Sequence, residues 1–127
     1  MELLAINSPK APVAPDAYAQ AIEVRGAKRW LFISGQVGEG VGGEAPPGIE
    51  AQLELAWRNI FHQLEAAQMS VTNIAKITVL LDSRDYVPAY RASRQNALQG
   101  HLPALSVVIG RTVEDPRLVE IEAVAVG

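Results

Sequence analysis

The segment "ISGQVGEGVGGEAPPG", Ile33 to Gly48, decides between two architectures. It contains "GEGVGG", Gly38 to Gly43, which matches G-x-G-x-x-G directly after an apolar run that reads as a strand. In a dinucleotide-binding domain the third glycine opens a helix whose N-terminal amides face a pyrophosphate, and an acidic residue follows about 20 positions on. Here Pro46, Pro47 and Gly48 separate Gly43 from the next helical pattern, and Glu39 and Glu44 would set negative charge beside a phosphate. No lysine or arginine lies between Arg29 and Arg58, so a Walker-type lysine is missing too. The stretch reads as a long connection from a strand to a helix, and the nucleotide-binding class is set aside.

C-terminal to this loop, Ile49, Leu53, Ala56, Trp57, Ile60, Phe61 and Leu64 recur at spacings of three and four and predict an amphipathic helix. Glu50, Gln52, Glu54, Arg58, Asn59, Gln63 and Glu65 are assigned to its polar side. "MSVTN" breaks the pattern, and "IAKITVLL", Ile74 to Leu81, is rich in β-branched residues and reads as a largely buried strand. A second helix is expected over Val87 to Leu98, with Pro88 in its first turn and Gly100 as its stop. "ALSVVIG" and "LVEIEAVAV" are the last two strands, separated by a turn at "VEDPR".

N-terminal to the loop, "RWLFISGQ" and "YAQAIEVRG" read as strands, and "GAK" between them suggests a three-residue hairpin turn. Pro9, Pro12 and Pro15 make Ser8 to Asp16 an extended connection, and "ELLAI" is a possible edge strand. The order implies a single α+β domain spanning 1–127, a mixed sheet with both helices on one face. In the last strand Val119, Ile121, Ala123 and Ala125 alternate with Glu120, Glu122 and Val124, so the second sheet face is left bare unless another chain covers it.

The 127 residues, 49% hydrophobic and 20% charged, fit one core. A net charge of -3 offers no basic footprint, so no nucleic-acid partner is expected. The absence of cysteine removes thiolate nucleophiles and zinc-thiolate sites. His62 and His101 lack a third obvious ligand, so neither metal nor cofactor is expected. "MELLAINSPK" lacks the basic flank of a signal peptide, and no apolar run approaches the roughly 20 residues that span a bilayer. A cytoplasmic protein without membrane association is the expectation.

Several fragments together resemble the Rid family, the YjgF-type or RidA-like reactive-intermediate deaminases. "DAYAQAI", Asp16 to Ile22, is similar to its G-P-Y-S-Q-A segment, and "LFISGQ" to its strand ending S-G-Q. "IEAQLELAWRNIFHQLEAA" resembles its first helix, "KITVLLDSRDY" the following strand and turn, and "PALSVVIG" with "VEIEAVA" its C-terminal strands. The resemblance covers nearly the whole chain in order. It implies a chorismate-mutase-like fold and a homotrimer packed around a central β-barrel, with clefts between subunits where a small imine or enamine metabolite is hydrolysed to release ammonia. By motif position it implies cleft roles for Tyr18, Ser34, Gly35 and Glu120, with Tyr90 near a position that is often asparagine in the family.

One position departs from the pattern. Active deaminases of this family carry arginine directly after the Pro-Ala of the penultimate strand, where a guanidinium holds the substrate carboxylate bidentately; here that residue is Leu105. Standard 2-iminopropanoate deaminase activity is therefore expected to be weak or absent, and a cation restored at position 105 is expected to find Glu120 as its nearest partner. Arg84, Arg91 and Arg94 are candidates to replace the missing arginine, although a solvated surface is the preferred reading for all three.

The site residues keep two readings each. Glu120 either orients a water for attack on a C=N carbon or pairs structurally; Tyr18 either closes over a ligand or is a half-buried strand aromatic. Ser34 is a hydrogen-bond donor and not a nucleophile, since no histidine signature adjoins it. Two functions compete: a divergent Rid-type hydrolase acting on an imine other than the usual 2-imino acids, and a non-catalytic ligand-sensing or protein-interaction trimer. A ribonuclease role finds little support in an acidic chain without paired histidines.

Overall fold

The computed structural model describes residues 1–14 and 18–127. Pro15, Asp16 and Ala17, which belong to the expected extended connection and to the first motif, lie outside the described residues. Six strands and two α-helices follow in the order β1 (Glu2–Ile6), β2 (Ala21–Arg25), β3 (Trp30–Val37), α1 (Ile49–Ala66), β4 (Ile74–Leu81), α2 (Val87–Leu98), β5 (Ala104–Ile109) and β6 (Val119–Val126). The α+β class and the two-helix, mixed-sheet arrangement are as the sequence implies, and no helix is long and apolar enough to cross a membrane among the described residues.

The principal sheet has the order β3-β6-β4-β5, antiparallel except for the parallel β4/β5 pair. The expected hairpin between β2 and β3 is not formed. Instead β2 pairs antiparallel with β1, from Glu2 opposite Arg25 to Ile6 opposite Ala21, as a separate ribbon. Lys28 and Arg29 donate from their backbone amides to the carbonyl of Gly127, so the "GAK" segment follows the chain end and not its neighbouring strand. Two strands close in sequence need not pair when a better-matched partner is available to each.

Strand β6 lies between β3 and β4, and its period-2 alternation sorts residues between the two faces. Val119, Ile121, Ala123 and Ala125 face the helices and are buried, as are Ile77, Val79 and Leu81 of β4. Leu53, Ala56, Trp57, Ile60 and Leu64 of α1 close over them, with Tyr90 and Leu98 of α2 in the same cluster. The opposite face carries Glu120, Glu122 and Val124, with Phe32 of β3 74% exposed and Val108 of β5 50% exposed. α2 begins with Pro88 in its first turn and ends one residue before the expected stop, at Gln99 in the left-handed conformation.

One assignment on α1 is corrected. Gln52, placed on the polar side by periodicity, is 2% exposed. Its Nε2 donates to the carbonyls of Pro46 and Pro116 at 3.0 and 2.8 Å, and its Oε1 accepts from the Leu118 amide at 2.8 Å. Asn59 likewise donates to the carbonyls of Val37 and Glu39. Both amides tie the glycine-rich loop to α1, and Arg117 adds an ion pair with Glu39 at 2.7 Å. Gly38 sits so close to the Gln52 backbone that a Cβ there would overlap it. The G-x-G-x-x-G match is thus a connection anchored to α1 at Gly38 and Glu39, with Gly40 to Glu44 exposed.

Replacing Gln52 by leucine would leave one amide and two carbonyls without their partner. Gln52→Leu is expected to cost about 2–4 kcal/mol in urea unfolding, and a loss below about 0.5 kcal/mol would show that the loop is held by other contacts.

Candidate functional site

The pairing of β3 with β6 slips between Ile33 and Gln36, which puts Ser34 and Gly35 at a bulge in the edge strand β3. Gly35 lies against the Glu120 side chain so closely that a Cβ would overlap the carboxylate. A side chain at position 35 would force the Glu120 carboxylate to move. Beside this contact, Glu120 and Glu122 with Thr78 and Leu80 line a shallow hollow of about 260 Å³ on the open face. Ser34 lines an adjoining hollow of about 240 Å³ with Phe32, Lys76, Thr78 and Glu122. The Lys76 ammonium donates to the Ser106 hydroxyl at 2.8 Å, which holds its charge on the same face.

Tyr18, Tyr90 and Leu105 meet elsewhere. The parallel register sets Leu105 opposite Ile77, Val107 opposite Val79 and Ile109 opposite Leu81, so these three point to the helix side of the sheet. Because β5 is an edge strand, α2 covers them only in part, and a pocket of about 450 Å³ remains. Its other walls are Tyr18, Arg84, Val87, Tyr90, Arg91 and Arg94. Tyr18 arrives there because the neighbouring Ala19 donates its amide to the Pro103 carbonyl at 3.0 Å, next to the start of β5.

Within one chain, therefore, the six expected ligand residues divide into two groups of three on opposite faces of the sheet. Ser34, Gly35 and Glu120 form the open-face group; Tyr18, Tyr90 and Leu105 form the pocket group. Within one chain Glu120 lies on the opposite sheet face from position 105, and an arginine introduced at 105 would join Arg84, Arg91 and Arg94 of its own subunit.

The preference for a solvated surface holds for Arg84 and Arg91 and is corrected for Arg94. Arg84 and Arg91 are exposed at the pocket mouth, but Arg94 is 9% exposed and its Cζ lies 5.3 Å from the centre of the Tyr90 ring. None of the three forms an ion pair with a carboxylate among the described residues. A cation over an aromatic face contributes about 0.5–2 kcal/mol, and the Arg94 guanidinium also borders the open pocket. The sequence signal for this was present: Tyr90, Arg94 and Leu98 are spaced i, i+4, i+8, so a core-facing Tyr90 and Leu98 bring Arg94 inward with them.

Tyr90 is 1% exposed and its hydroxyl has no hydrogen-bond partner among the described residues. Burial pushes its pKa above the usual tyrosine value; the Arg94 and then the Arg91 guanidinium act in the opposite direction without cancelling that effect. Trp57 is a core aromatic whose indole donates to Ser93, and His101 is engaged with the Ile74 carbonyl at 2.7 Å.

A family model described as endoribonuclease L-PSP matches residues 8–127. A 2-iminobutanoate/2-iminopropanoate deaminase of Rattus norvegicus is 33% identical over 123 residues, 95% of this chain and 88% of the relative. A Rid-family protein of unknown function from Yersinia pestis superposes with a TM-score of 0.86 at 26% identity, over 100% of both chains. RidA from an Antarctic Psychrobacter superposes with a TM-score of 0.74 at 30% identity, over 98% of this chain and 99% of that one.

Removing the orphaned hydroxyl is expected to help the unliganded fold: Tyr90→Phe should be more stable by about 1 kcal/mol in urea unfolding. A tyrosine whose pKa is raised by folding holds its proton more tightly in the native state, so the stability present below its unfolded value of 10.0 is lost as pH rises through the folded value. Wild type should lose that increment above pH 10.0, and Tyr90→Phe should not. A Tyr90→Phe variant less stable than wild type at neutral pH would mean the hydroxyl is bonded in solution.

Proposed function

The chain belongs to the Rid family, whose model carries the description endoribonuclease L-PSP, and from that premise we propose that it is a homotrimeric imine or enamine hydrolase whose cleft forms where subunits meet. The carrying observation is the contact of Gly35 with the Glu120 carboxylate, beside an apolar sheet face that one chain leaves uncovered. Phe32, Val124 and Val108 on that face are apolar surface that a second copy would bury. Closing the open face of one subunit against the edge pocket of another would unite the two groups of three residues that a single chain holds apart.

In this reading the reaction is R₂C=NH + H₂O → R₂C=O + NH₃. Glu120 accepts a proton from water as the water oxygen attacks the C=N carbon and returns it to nitrogen; the carbinolamine then collapses as its hydroxyl proton is relayed to nitrogen, the C–N bond breaks and ammonia leaves. Ser34 and the Gly35 amide supply donors to a ligand oxygen, and Tyr18 and Tyr90 border the ligand from the pocket side. Leu105 presents an apolar wall, so the ligand's charge must be met elsewhere than at this position. The deaminase activity in the name of the rat relative supports the reaction class; Leu105 argues for a substrate other than 2-iminopropanoate.

The competing reading, a trimer that binds a metabolite without converting it, is favoured by the same Leu105. Product analysis separates the two.

Light scattering should give the mass of three chains, and a monomeric mass would remove the intersubunit cleft. A screen of imines and enamines should find turnover that falls about 10²–10⁴-fold in Glu120→Gln. 2-Iminopropanoate should be among the slow substrates. Turnover insensitive to Glu120→Gln would end the catalytic assignment.

A further inference from the structure

We propose that the pocket between β5 and α2 binds a small organic dianion, a dicarboxylate or a phosphate monoester, through Arg84, Arg91 and Arg94, with the ligand's apolar body against Leu105, Val107 and Ile109. The proposal rests on reading this pocket as half of the metabolite cleft, and it specifies the ligand class.

Arg94 carries the argument. It is buried in the pocket wall, and no carboxylate among the described residues pairs with it, while Arg25, Arg58 and Arg117 all do have acidic partners. A guanidinium does not shed its proton to relieve burial, as a lysine does, so the remaining relief is an anion from outside. Tyr90, on the same wall, has a buried hydroxyl without a hydrogen-bond partner among the described residues, and it would donate to an anionic oxygen. Three guanidiniums without a carboxylate partner among the described residues border the same cavity, and together with that hydroxyl they are the donor set an anion needs.

The charge count sets the ligand's charge. Arg91 and Arg94 are three apart on α2, and Arg84 comes from the preceding turn Arg84–Tyr86, whose start is fixed by Ser83 accepting from the Asp85 amide. All three border the one pocket. A monoanion would leave two of the three guanidiniums uncompensated and repelling each other; a dianion leaves one, at the exposed mouth where water screens it. Guanidinium forks donate in pairs to carboxylate and phosphate oxygens alike, so both acid groups satisfy the chemistry. The apolar wall of β5 supplies contact area that a bare inorganic ion would not use, and about 450 Å³ accommodates a small organic molecule.

The test is calorimetric titration of the full chain with succinate, inorganic phosphate and propionate at matched ionic strength. Both dianions should bind, each about tenfold or more tighter than propionate, and the stronger of the two identifies the acid group. Arg94→Met should weaken the dianions about tenfold or more; because that variant also changes a buried position, Arg91→Gln at the exposed rim should do the same while the fold is kept. Propionate binding as tightly as the dianions, no dianion binding, or arginine variants that bind like wild type would each overturn the proposal. Imine turnover without any dianion preference would sink this inference alone, whereas dianion binding by a protein that turns over no imine would sink the catalytic reading and leave this one standing.

Discussion

Strand β6 is paired along both edges, to β3 and to β4, and its two faces have opposite chemistry. Val119, Ile121, Ala123 and Ala125 must be buried together, which fixes the side on which both helices pack. The same pleat then forces Glu120, Glu122 and Val124 to the other side. A one-residue slip would exchange the two sets and put two carboxylates into the core, so register is held by the cost of burying charge. The bulge at Ser34 and Gly35 is tolerated because it opens on the open face, where Gly35 makes room for the Glu120 carboxylate.

From that division follows the distribution of chemistry. The open face combines acids, a lysine and exposed apolar side chains, a surface suited to another protein chain more than to water. The covered face is closed by helices over β3, β6 and β4 but only partly over the edge strand β5. Edge position leaves a gap, and α2 fills it with cations in place of hydrocarbon. Arg94 is inward because the helix that buries Tyr90 and Leu98 has no freedom to turn it outward. Three guanidiniums are thereby gathered on one wall without a carboxylate partner among the described residues.

The glycine-rich loop illustrates how polar side chains do structural work. Gln52 and Asn59 sit on the first helix where periodicity would send them to solvent, yet they meet backbone groups of the loop and of the turn before β6. Buried amides of this kind replace the backbone pairing that an irregular connection lacks. Glu39, which speaks against a phosphate in the sequence, is engaged by Arg117.

Local periodicity by itself determined the helices Ile49–Ala66 and Val87–Leu98 to within a residue, the strand Ile74–Leu81, the two faces of the last strand and the α+β class, because these depend on which residues repeat on one side of an element. The proximity of Gly35 and Glu120 was legible only as a shared family motif, since 85 positions separate them in the chain and a strand pairing brings them together. Tertiary structure alone decided that β2 pairs with β1 and not with β3, because pairing is a competition among all available strand edges. It alone decided that Leu105 shares its pocket with three arginines of the same chain, because that depends on which face of an edge strand a neighbouring helix covers. And it alone decided that Gln52 and Arg94 are buried, because burial of a polar side chain depends on what lies across from it, which periodicity along a single helix does not encode.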